Sequence, residues 1–539
     1  MTDIWFFAAL TLAMLGLGFA AARWRRPARP HSLEEWGVGG RAFGNWVTWF
    51  LLGGSMYTAY TFVAVPAATY GVGAIGFFAV PFAVITTPMM YLISTRAWSV
   101  SHVHGFVTSA EFARARFGSR GLAALIALTG IAATMPYIAV QLIALQAILK
   151  SAGVPGEWPL LVAVVAVSLC TFRSGLRAPA LLSIAKDVLL VWLVLSMAMV
   201  VAWSGGWRVA FERADRRLAF DASPVSGLLL PDNGRLGYFT LIIGSALAIF
   251  AYPHAVTGIL AAKDRATIKR NAAAMPLYCL ALGFMALLGI FAIGQGVRPV
   301  GGDLNTVMPQ LFDVTLPAWS AGIAYAAIGV AALIPAAVMS IAAANLFTRS
   351  IYREYLRRNA SEAEEATVSR YTSLLMKFGA VACIVAFDQQ LSIELQLIGG
   401  VVILQTLPAV VAGLWTSWFH RFALAGGLLG GLAVGMLMLY QVPQRAADGR
   451  IVKAHFGGSS WPVGALGSVY IGLIALAVNV AVVVVATMAF KAMRVPAGRD
   501  LTRPEDYLAD GDSPSLQRLD ILVDGLPRAK VGAHAKDGG

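Results

Sequence analysis

Residues 46–70 read WVTWFLLGGSMYTAYTFVAVPAATY, and residues 237–260 read GYFTLIIGSALAIFAYPHAVTGIL. Each stretch is apolar and long enough to cross a bilayer, but glycine and serine interrupt its first half and proline interrupts its second half. Backbone polar groups inside a bilayer need partners within the protein, so a break at mid-depth is tolerated only around a protein-lined cavity. Two such breaks in separate halves of a chain indicate the binding site of a secondary transporter.

The composition is that of an integral membrane protein. Of 539 residues, 58% are hydrophobic and 13% are charged, whereas soluble chains carry about 25% charged residues. The formal net charge is +13, but the basic residues stand mostly in loops, so we attribute them to membrane topology and expect no nucleic-acid partner. Cys170, Cys279 and Cys383 fall in apolar runs and have neither disulfide nor metal-site spacing.

Thirteen apolar runs approach or exceed the length of a membrane span. They are 3–22, 46–70, 75–95, 121–149, 157–172, 182–203, 238–262, 274–296, 318–348, 371–388, 393–415, 423–441 and 464–490. Lysine and arginine concentrate in alternate loops, and the positive-inside rule makes those loops cytoplasmic. This pattern predicts a cytoplasmic (inner) membrane protein with its N-terminus outside and its C-terminus in the cytoplasm. The first run differs from a secretory signal because its arginines follow the apolar residues.

The sequence carries no motif of a catalytic or cofactor site. The patterns HExxH, GxSxG, CxxC and the phosphate loop are absent from it, so we expect neither an enzyme nor an organic cofactor. Residues 494–539 are polar, with scattered proline, glycine and aspartate, and we predict that they are mostly disordered.

Three separated motifs resemble the sodium:solute symporter family. They are GRAFG at 40–44 leading into GGSMYTA at 53–59, then PH at 253–254, then PAAVMS at 335–340 leading into SIYR at 350–353. The resemblance covers about residues 35–440. Within the family, Met135-Pro136-Tyr137 with Gln141, and the run YTAYTF at 57–62, are most similar to the monocarboxylate-type permeases.

The resemblance implies an all-α fold, a polytopic membrane helix bundle of about 13 transmembrane helices. Its core is a leucine-transporter-like inverted repeat of five plus five helices, formed by spans 2–6 and 7–11, in which the first helix of each repeat is broken. The expected regions are an N-terminal extra helix with a basic cytoplasmic loop, the transport core, two additional C-terminal helices and a cytoplasmic tail. They cover residues 1–45, 46–416, 417–493 and 494–539.

The resemblance also implies a site for the coupling cation, which we expect to be sodium and the only metal. Its ligands would be the carbonyls of Gly54, Tyr57 and Ala337 and the hydroxyl of Ser340. The family has a second Ser or Thr directly after that serine, whereas this sequence has Ile341, so one side-chain oxygen is missing. A hydrogen bond between packed helices is the other interpretation of Ser340, and coupling to protons stays open as an alternative to sodium.

A small carboxylate can bind at the N-terminal end of a half-helix without a basic side chain. Hydroxyl and amide groups near the two breaks would add hydrogen bonds to such a solute. We predict that they come from Ser55, Thr58, Thr61, Gln141, Ser245, Gln396 and Gln405. Each has an alternative interpretation as a hydrogen-bonded contact between helices.

Ionisable residues inside a membrane span are costly and usually functional. His254 follows the proline of the second interrupted stretch and is able to bind solute, gate the pathway or carry a proton; the alternative is a neutral histidine held by a backbone carbonyl. Asp187, at the cytoplasmic end of its span, matches an acidic family position near the inner exit path of the cation. An interfacial pair with Lys186 is the alternative there. Lys377 is expected to snorkel to the inner surface.

These observations together predict a cation-coupled symporter that imports a small organic solute. The favoured solute is a monocarboxylate such as lactate, pyruvate or acetate. A proton-coupled carrier of the same fold and a non-transporting membrane sensor are the alternatives. The predicted partners are the solute, sodium or protons, and the lipid bilayer; no oligomeric state is predicted.

Overall fold

The computed structural model is an almost entirely helical bundle. It describes residues 2–21, 32–54, 57–154, 174–220, 228–387, 391–445 and 450–510, together with residues 161, 164, 165, 168, 171 and 172. Its α-helices are α1 Thr2–Ala21, α2 Leu33–Val38, α3 Asn45–Gly54, α4 Val65–Val72, α5 Ala79–His104, α6 Ser109–Phe117, α7 Arg120–Ser151, α8 Arg177–Trp203, α9 Gly206–Phe220, α10 Arg235–Ala248, α11 Pro253–Leu260, α12 Arg265–Ala274, α13 Pro276–Gln295, α14 Val307–Thr315, α15 Ala318–Phe347, α16 Glu362–Phe387, α17 Ser392–Ile403, α18 Leu407–Val410, α19 Arg421–Gln441 and α20 Ile471–Ala492.

Two small hairpins lie in the connection between α19 and α20. Strand β1 Gln444–Arg445 pairs antiparallel with β2 Ile451–Lys453, and β3 Ser460–Pro462 pairs antiparallel with β4 Ser468–Tyr470. The hydroxyl of Tyr470 donates to the carbonyl of Leu397 at 2.7 Å. This connection is therefore anchored to α17 rather than free of the bundle.

Eight helical segments in the described part of the chain are long and apolar enough to cross a membrane. Asp232–Ala248 and Pro253–Leu260 together form a ninth, with a bend of 45° between them, and Trp5–Ala20 is a shorter apolar helix. The prediction of an all-α membrane bundle is confirmed. The number thirteen stays a prediction, because the run 157–172 lies mostly outside the described residues.

Helix α15 lies at the centre of the bundle. Its apolar window is buried on all sides, and it packs against α1, α7, α8 and α16. A helix that is apolar all round belongs in the interior, and its many alanines let neighbouring backbones approach closely. This position places Ala337 and Ser340 inside the protein.

The first interrupted stretch is broken in the structure. Helix α3 ends at Gly54, residues 55–56 lie outside the described residues, and the chain becomes helical again in the π-helical turn Tyr60–Ala64 before α4. Gly53 is also required by packing, since a Cβ there would lie 2.0 Å from Cζ of Tyr278. The glycine beside the break thus allows α13 to pack directly against it.

The second interrupted stretch is broken as well, but later than the glycine and serine suggest. Gly244 lies within α10, where a Cβ would lie 2.4 Å from Cδ1 of Tyr470, so this glycine serves a packing contact. The break falls at residues 249–252, and α11 begins at Pro253, which suits the first position of a helix because it has no N–H to satisfy. Broken first helices are therefore confirmed in both halves.

The beginning of the C-terminal tail packs against the bundle. Residues 494–510 are described, and the side chain of Tyr507 is only 2% exposed. Nε2 of His104, at the end of α5, lies 2.8 Å from Oδ2 of Asp506. The predicted disorder is therefore wrong for residues 494–510, because their polar side chains pair with groups of the bundle, which composition alone does not reveal. Residues 511–539 lie outside the described residues.

Candidate solute and cation sites

A small cavity lies between the two broken helices. Its volume is about 10 Å³, the lower limit for one water molecule, so the structure shows a closed state of this site. It is lined by Tyr60, Thr61, Phe82, Tyr137, Ser245, Ile249, Tyr252, Leu282 and Gln396. Thr61 and Ser245 were predicted as solute residues, whereas Ser55 lies outside the described residues. We call this space the central cavity.

Several buried polar atoms around the central cavity have no hydrogen-bond partner among the described residues. They are Oη of Tyr60, Nε2 of Gln141, Oγ of Ser245, both ring nitrogens of His254 and Oε1 of Gln396. All five side chains are more than nine-tenths buried. An unpaired buried polar atom costs about 1–3 kcal/mol, so such a concentration marks a place where a ligand or water is expected.

His254 stands on the first turn of α11 beside two tyrosine rings. The ring centroids lie 5.2 Å from Tyr137 and 5.4 Å from Tyr252. The hydroxyl of Tyr252 donates to the carbonyl of Gln396 at 3.1 Å, which fixes that ring. The alternative of a histidine held by a backbone carbonyl does not hold within the described residues, because neither ring nitrogen has a partner there.

Two of the predicted solute residues support the first break. Oγ1 of Thr58 accepts a hydrogen bond from the N–H of Tyr60 at 3.0 Å, and Oε1 of Gln141 accepts one from the N–H of Ala59 at 3.2 Å. The first N–H groups of a helix need such acceptors because they have no intrahelical partner. The structure thus gives Thr58 a capping role, and the amide nitrogen of Gln141 has no partner among the described residues.

The structure does not bring Gln405 to the central cavity. Its Nε2 donates to the carbonyl of Val401 at 2.9 Å, and its Oε1 accepts from Nδ2 of Asn479 at 3.1 Å. It therefore joins the end of α17 to α20, which is the hydrogen-bonded contact between helices that was its alternative interpretation. Two glutamines in one apolar run give no signal of which one faces inward, and Gln396 is the one that lines the cavity.

At the first break, the carbonyl of Tyr57 is bonded to a lysine. Nζ of Lys186 donates to this carbonyl at 2.8 Å and lies 2.7 Å from Oδ1 of Asp187. The hydroxyl of Tyr278 donates to the other carboxylate oxygen of Asp187 at 2.7 Å. A Cβ on Gly54 would lie 3.4 Å from the same Nζ. The ammonium group therefore lies beside both first-break residues that were predicted to bind the cation.

The opposite side of the predicted cation site offers little oxygen. The hydroxyl of Ser340 donates its hydrogen to the carbonyl of Ala336 within α15 and keeps its oxygen lone pairs, whereas Ile341 is buried and has no side-chain oxygen. Ala337 lies inside the same unbroken helix, where carbonyls are engaged by helical bonds. In this arrangement the residues present do not fit a sodium ion. Among the described residues, no group of three or more His, Cys, Asp or Glu could hold another metal.

The depth of two lysines differs from the expectation. Lys186 and Asp187 do form a pair, but they are 0% and 4% exposed, so the pair is buried in the bundle rather than interfacial. Helix α8 begins at Arg177 rather than near residue 182, and the extra turn carries Lys186 into the bundle. Lys377 does not snorkel either: it is 3% exposed, and its Nζ lies 3.4 Å from the carbonyl of Ser373 in the same helix.

Two further small cavities continue from the central cavity along α11. The first, of about 50 Å³, shares Ile249 with the central cavity, and the second, of about 30 Å³, shares Ser94 and Phe250 with the first. The second ends at Phe112 of α6, whose ring lies 6.4 Å from that of Tyr507. The row of cavities thus leads from the central cavity to the end of the bundle where the C-terminal segment docks.

The chain is similar to known transporters in sequence and in structure. A family model described as sodium:solute symporter family matches residues 36–433. The chain is 43% identical over 483 residues to a monocarboxylate transport permease protein of Rhizobium johnstonii, covering 89% of this chain and 95% of that protein. It is 23% identical over 458 residues to the sodium/proline symporter of Escherichia coli, covering 81% of this chain and 89% of that protein.

A solved structure has the same fold. The substrate-bound, outward-open state of a sodium-coupled sialic acid symporter superimposes on this chain with a TM-score of 0.69 at 16% identity. The superposition covers 92% of this chain and 99% of that chain.

Proposed function

The chain belongs to the sodium:solute symporter family, and from this premise we propose that it imports a small monocarboxylate in symport with a cation. Membership of the family makes it a multi-pass membrane transporter with a leucine-transporter-like fold, not an enzyme. The name of the relative from Rhizobium johnstonii supports a monocarboxylate as the solute.

The observation that carries the proposal is the group of unpartnered polar atoms around the central cavity. The hydroxyls of Tyr60 and Ser245, the imidazole of His254 and the amide of Gln141 are all able to donate hydrogen bonds to a carboxylate. No charged side chain lines the cavity in the part of the chain that the structure describes. The N-terminal end of α11 adds a favourable dipole for one negative charge.

The walls of the central cavity favour a short solute with an apolar portion. Phe82, Ile249 and Leu282 face the cavity beside the polar groups. Because the cavity is closed here, solute entry requires one helix bundle to rock against the other, as in alternating access. Lactate, pyruvate and acetate combine a carboxylate with a small remainder and are the solutes we propose.

We propose that the protein lies in the inner membrane with its basic loops in the cytoplasm. The N-terminus is then outside and the C-terminus inside. The row of cavities along α11 would be the inward exit of the solute, and Asp187 would stand near the exit of the cation.

Two cations are candidates for the coupled ion. Family membership supports sodium, but the ligands expected for it, Gly54, Tyr57, Ala337 and Ser340, do not fit a sodium ion in the arrangement described above. A proton-coupled carrier of the same fold is the second candidate, and the position of Lys186 on the Tyr57 carbonyl favours it.

Counterflow in proteoliposomes tests the proposed solute class. Vesicles loaded with an unlabelled monocarboxylate should accumulate the labelled form of lactate, pyruvate or acetate, while proline and glucose should not exchange. Protein-free vesicles are the control. Exchange of proline or glucose without exchange of any monocarboxylate would contradict the proposal, and no exchange of any solute would favour the membrane sensor.

A further inference from the structure

Lys186 brings a buried basic group to the first break. Its ammonium group has three hydrogens to donate, and in this structure the carbonyl of Tyr57 takes one at 2.8 Å. A carboxylate oxygen of Asp187 lies 2.7 Å from the same nitrogen. The charge is therefore held between α8 and the broken helix by short contacts, and no part of the lysine reaches solvent.

A sodium ion and this ammonium group would compete for the same carbonyl. Both are single positive charges, and in a buried place with few compensating dipoles two such charges a few ångströms apart repel strongly. The groups that face the ammonium are Asp187 on its own helix, Tyr57 from the first break and Tyr278 from α13, which already donates to Asp187. Among the described residues at this position, the single carboxylate of Asp187 therefore faces the single ammonium group of Lys186.

A second and independent observation lies on α15. Position 341 is isoleucine, so the side-chain oxygen that the family resemblance leads us to expect there is missing. A site with all its oxygen ligands and an added lysine would leave open whether sodium binds there. Here one oxygen ligand is missing on the side of α15, and a positive charge is supplied by Lys186 on the other side. Both differences point to the same replacement of the ion by the lysine.

We infer that the ammonium group of Lys186 stands in place of the sodium ion at this site, and that transport proceeds without sodium bound there. The inference rests on the proposed function, because it specifies the ion requirement of that transport. By holding the Tyr57 carbonyl against α8, Lys186 ties the broken helix to the bundle, which a bound ion would otherwise do. The residue thereby determines ion specificity.

Counterflow of labelled lactate, pyruvate and acetate provides the first test. Full-length protein is compared in buffers with 100 mM sodium and with choline in its place, at the same pH on both sides. We expect exchange rates within twofold of each other. A tenfold or greater stimulation by sodium would overturn the inference while leaving the monocarboxylate proposal intact.

A binding measurement tests the inference without any solute, so it stands even if the proposed solute class fails. Thermal unfolding of the purified protein is followed by tryptophan fluorescence in sodium and in choline. Because a ligand that binds only the folded state raises the midpoint, we expect no sodium-specific shift. A saturable, sodium-specific rise of the midpoint in the unmodified protein would overturn the inference.

Variants of Lys186 test whether sodium can replace the ammonium group. Lys186→Ala should acquire a sodium-specific rise of the unfolding midpoint, and its lost exchange should return with sodium or methylammonium. Lys186→Arg should keep exchange without sodium. Lys377→Ala, at another buried lysine, is the matched control and should show no sodium response. A Lys186→Ala protein that folds and exchanges equally well in choline would contradict the assigned role; if it does not fold, the two measurements on the unmodified protein decide.

Discussion

The two broken helices differ in how the groups near each break are used. At the first break, side chains from other helices reach the unwound backbone: Lys186 donates to the carbonyl of Tyr57, and Gln141 accepts from the N–H of Ala59. At the second break, the backbone bonds to itself, as the N–H of Tyr252 does to the carbonyl of Ala248 at 3.2 Å.

The side chains are also used differently. At the second break Ser245 and His254 have unpartnered polar atoms, whereas at the first break Thr58 is engaged as a cap and the hydroxyl of Tyr60 has no partner among the described residues. Two helices in equivalent places of an inverted repeat have thus taken different tasks. The first is tied to the charge pair on α8 through the Tyr57 carbonyl, and the second carries hydroxyl and imidazole groups that have no partner among the described residues.

The largest expected effect comes from removing the charge at the first break. Lys186→Met would leave Asp187 buried without its cation, and breaking a buried pair on one side costs about 3–5 kcal/mol. The free energy of unfolding in detergent should fall by that order. Lys377→Met is the control, because that lysine has no acidic partner within hydrogen-bond distance among the described residues. Equal losses in both variants would show that burial, not pairing, is what matters.

A smaller effect is expected from the other support of the first break. Gln141→Leu would leave the N–H of Ala59 without its acceptor, which costs about 1–3 kcal/mol when the group stays buried. The unfolding midpoint should fall, and the apparent affinity for solute should fall with it. A variant with unchanged stability would mean that Gln141 contributes to solute binding alone.

At the second break, stability and solute affinity should separate. Ser245→Ala removes a hydroxyl that has no partner in this structure, so the unfolding midpoint should stay the same or rise. The KM of counterflow should increase by about five- to tenfold, since a hydrogen bond contributes about 1 kcal/mol. Gln405→Leu is the matched opposite: it should lower the midpoint and leave KM unchanged. An unchanged KM in Ser245→Ala would remove that residue from the solute site.

The smallest effect on both breaks is expected from the C-terminal segment. Burial alone would raise the pKa of Asp506, but hydrogen bonds with His104 and the N–H of Arg503 bring the pKa below its ordinary value. A carboxyl with a lowered folded-state pKa stabilises the fold above its unfolded pKa, about 4, and this contribution disappears as the pH falls through the lower pKa. Asp506→Asn should therefore weaken docking at pH 7, and its effect should shrink as the pH falls below about 4.

Counterflow provides the comparison for that variant. Because Asp506 lies far along the chain from either break and touches α5 through His104, KM and the response to sodium should stay within twofold of the unmodified protein. A changed sodium response would mean that the C-terminal segment and the first break are coupled.

The sequence was sufficient for the parts of the fold that depend on local composition. Membrane length, the interruption of two spans and the family motifs follow from residues that stand together, such as Gly53 and Gly54. Thr61 and Ser245, which the sequence places near the two breaks, line the central cavity in the structure.

The remaining features depend on contacts between distant parts of the chain. The depth of Lys186 follows from where α8 begins, which the apolar run alone did not mark. The choice between Gln396 and Gln405 depends on which one meets α20, and the packing role of Gly244 depends on Tyr470, which lies more than 200 residues later in the chain. Docking of the tail needs the partners on α5 and α6, which no local composition contains.

The docked C-terminal segment also has a consequence for the order of folding during synthesis. His104 and Asp506 are 402 positions apart, and the carbonyl of Ala509 accepts from the hydroxyl of Ser99 across 410 positions. These contacts can form only after the spans that precede residue 500 have been synthesised. A nascent chain, or one cut before residue 500, leaves the ends of α5 and α6 uncovered, so it exposes a surface to proteases that the docked segment otherwise covers.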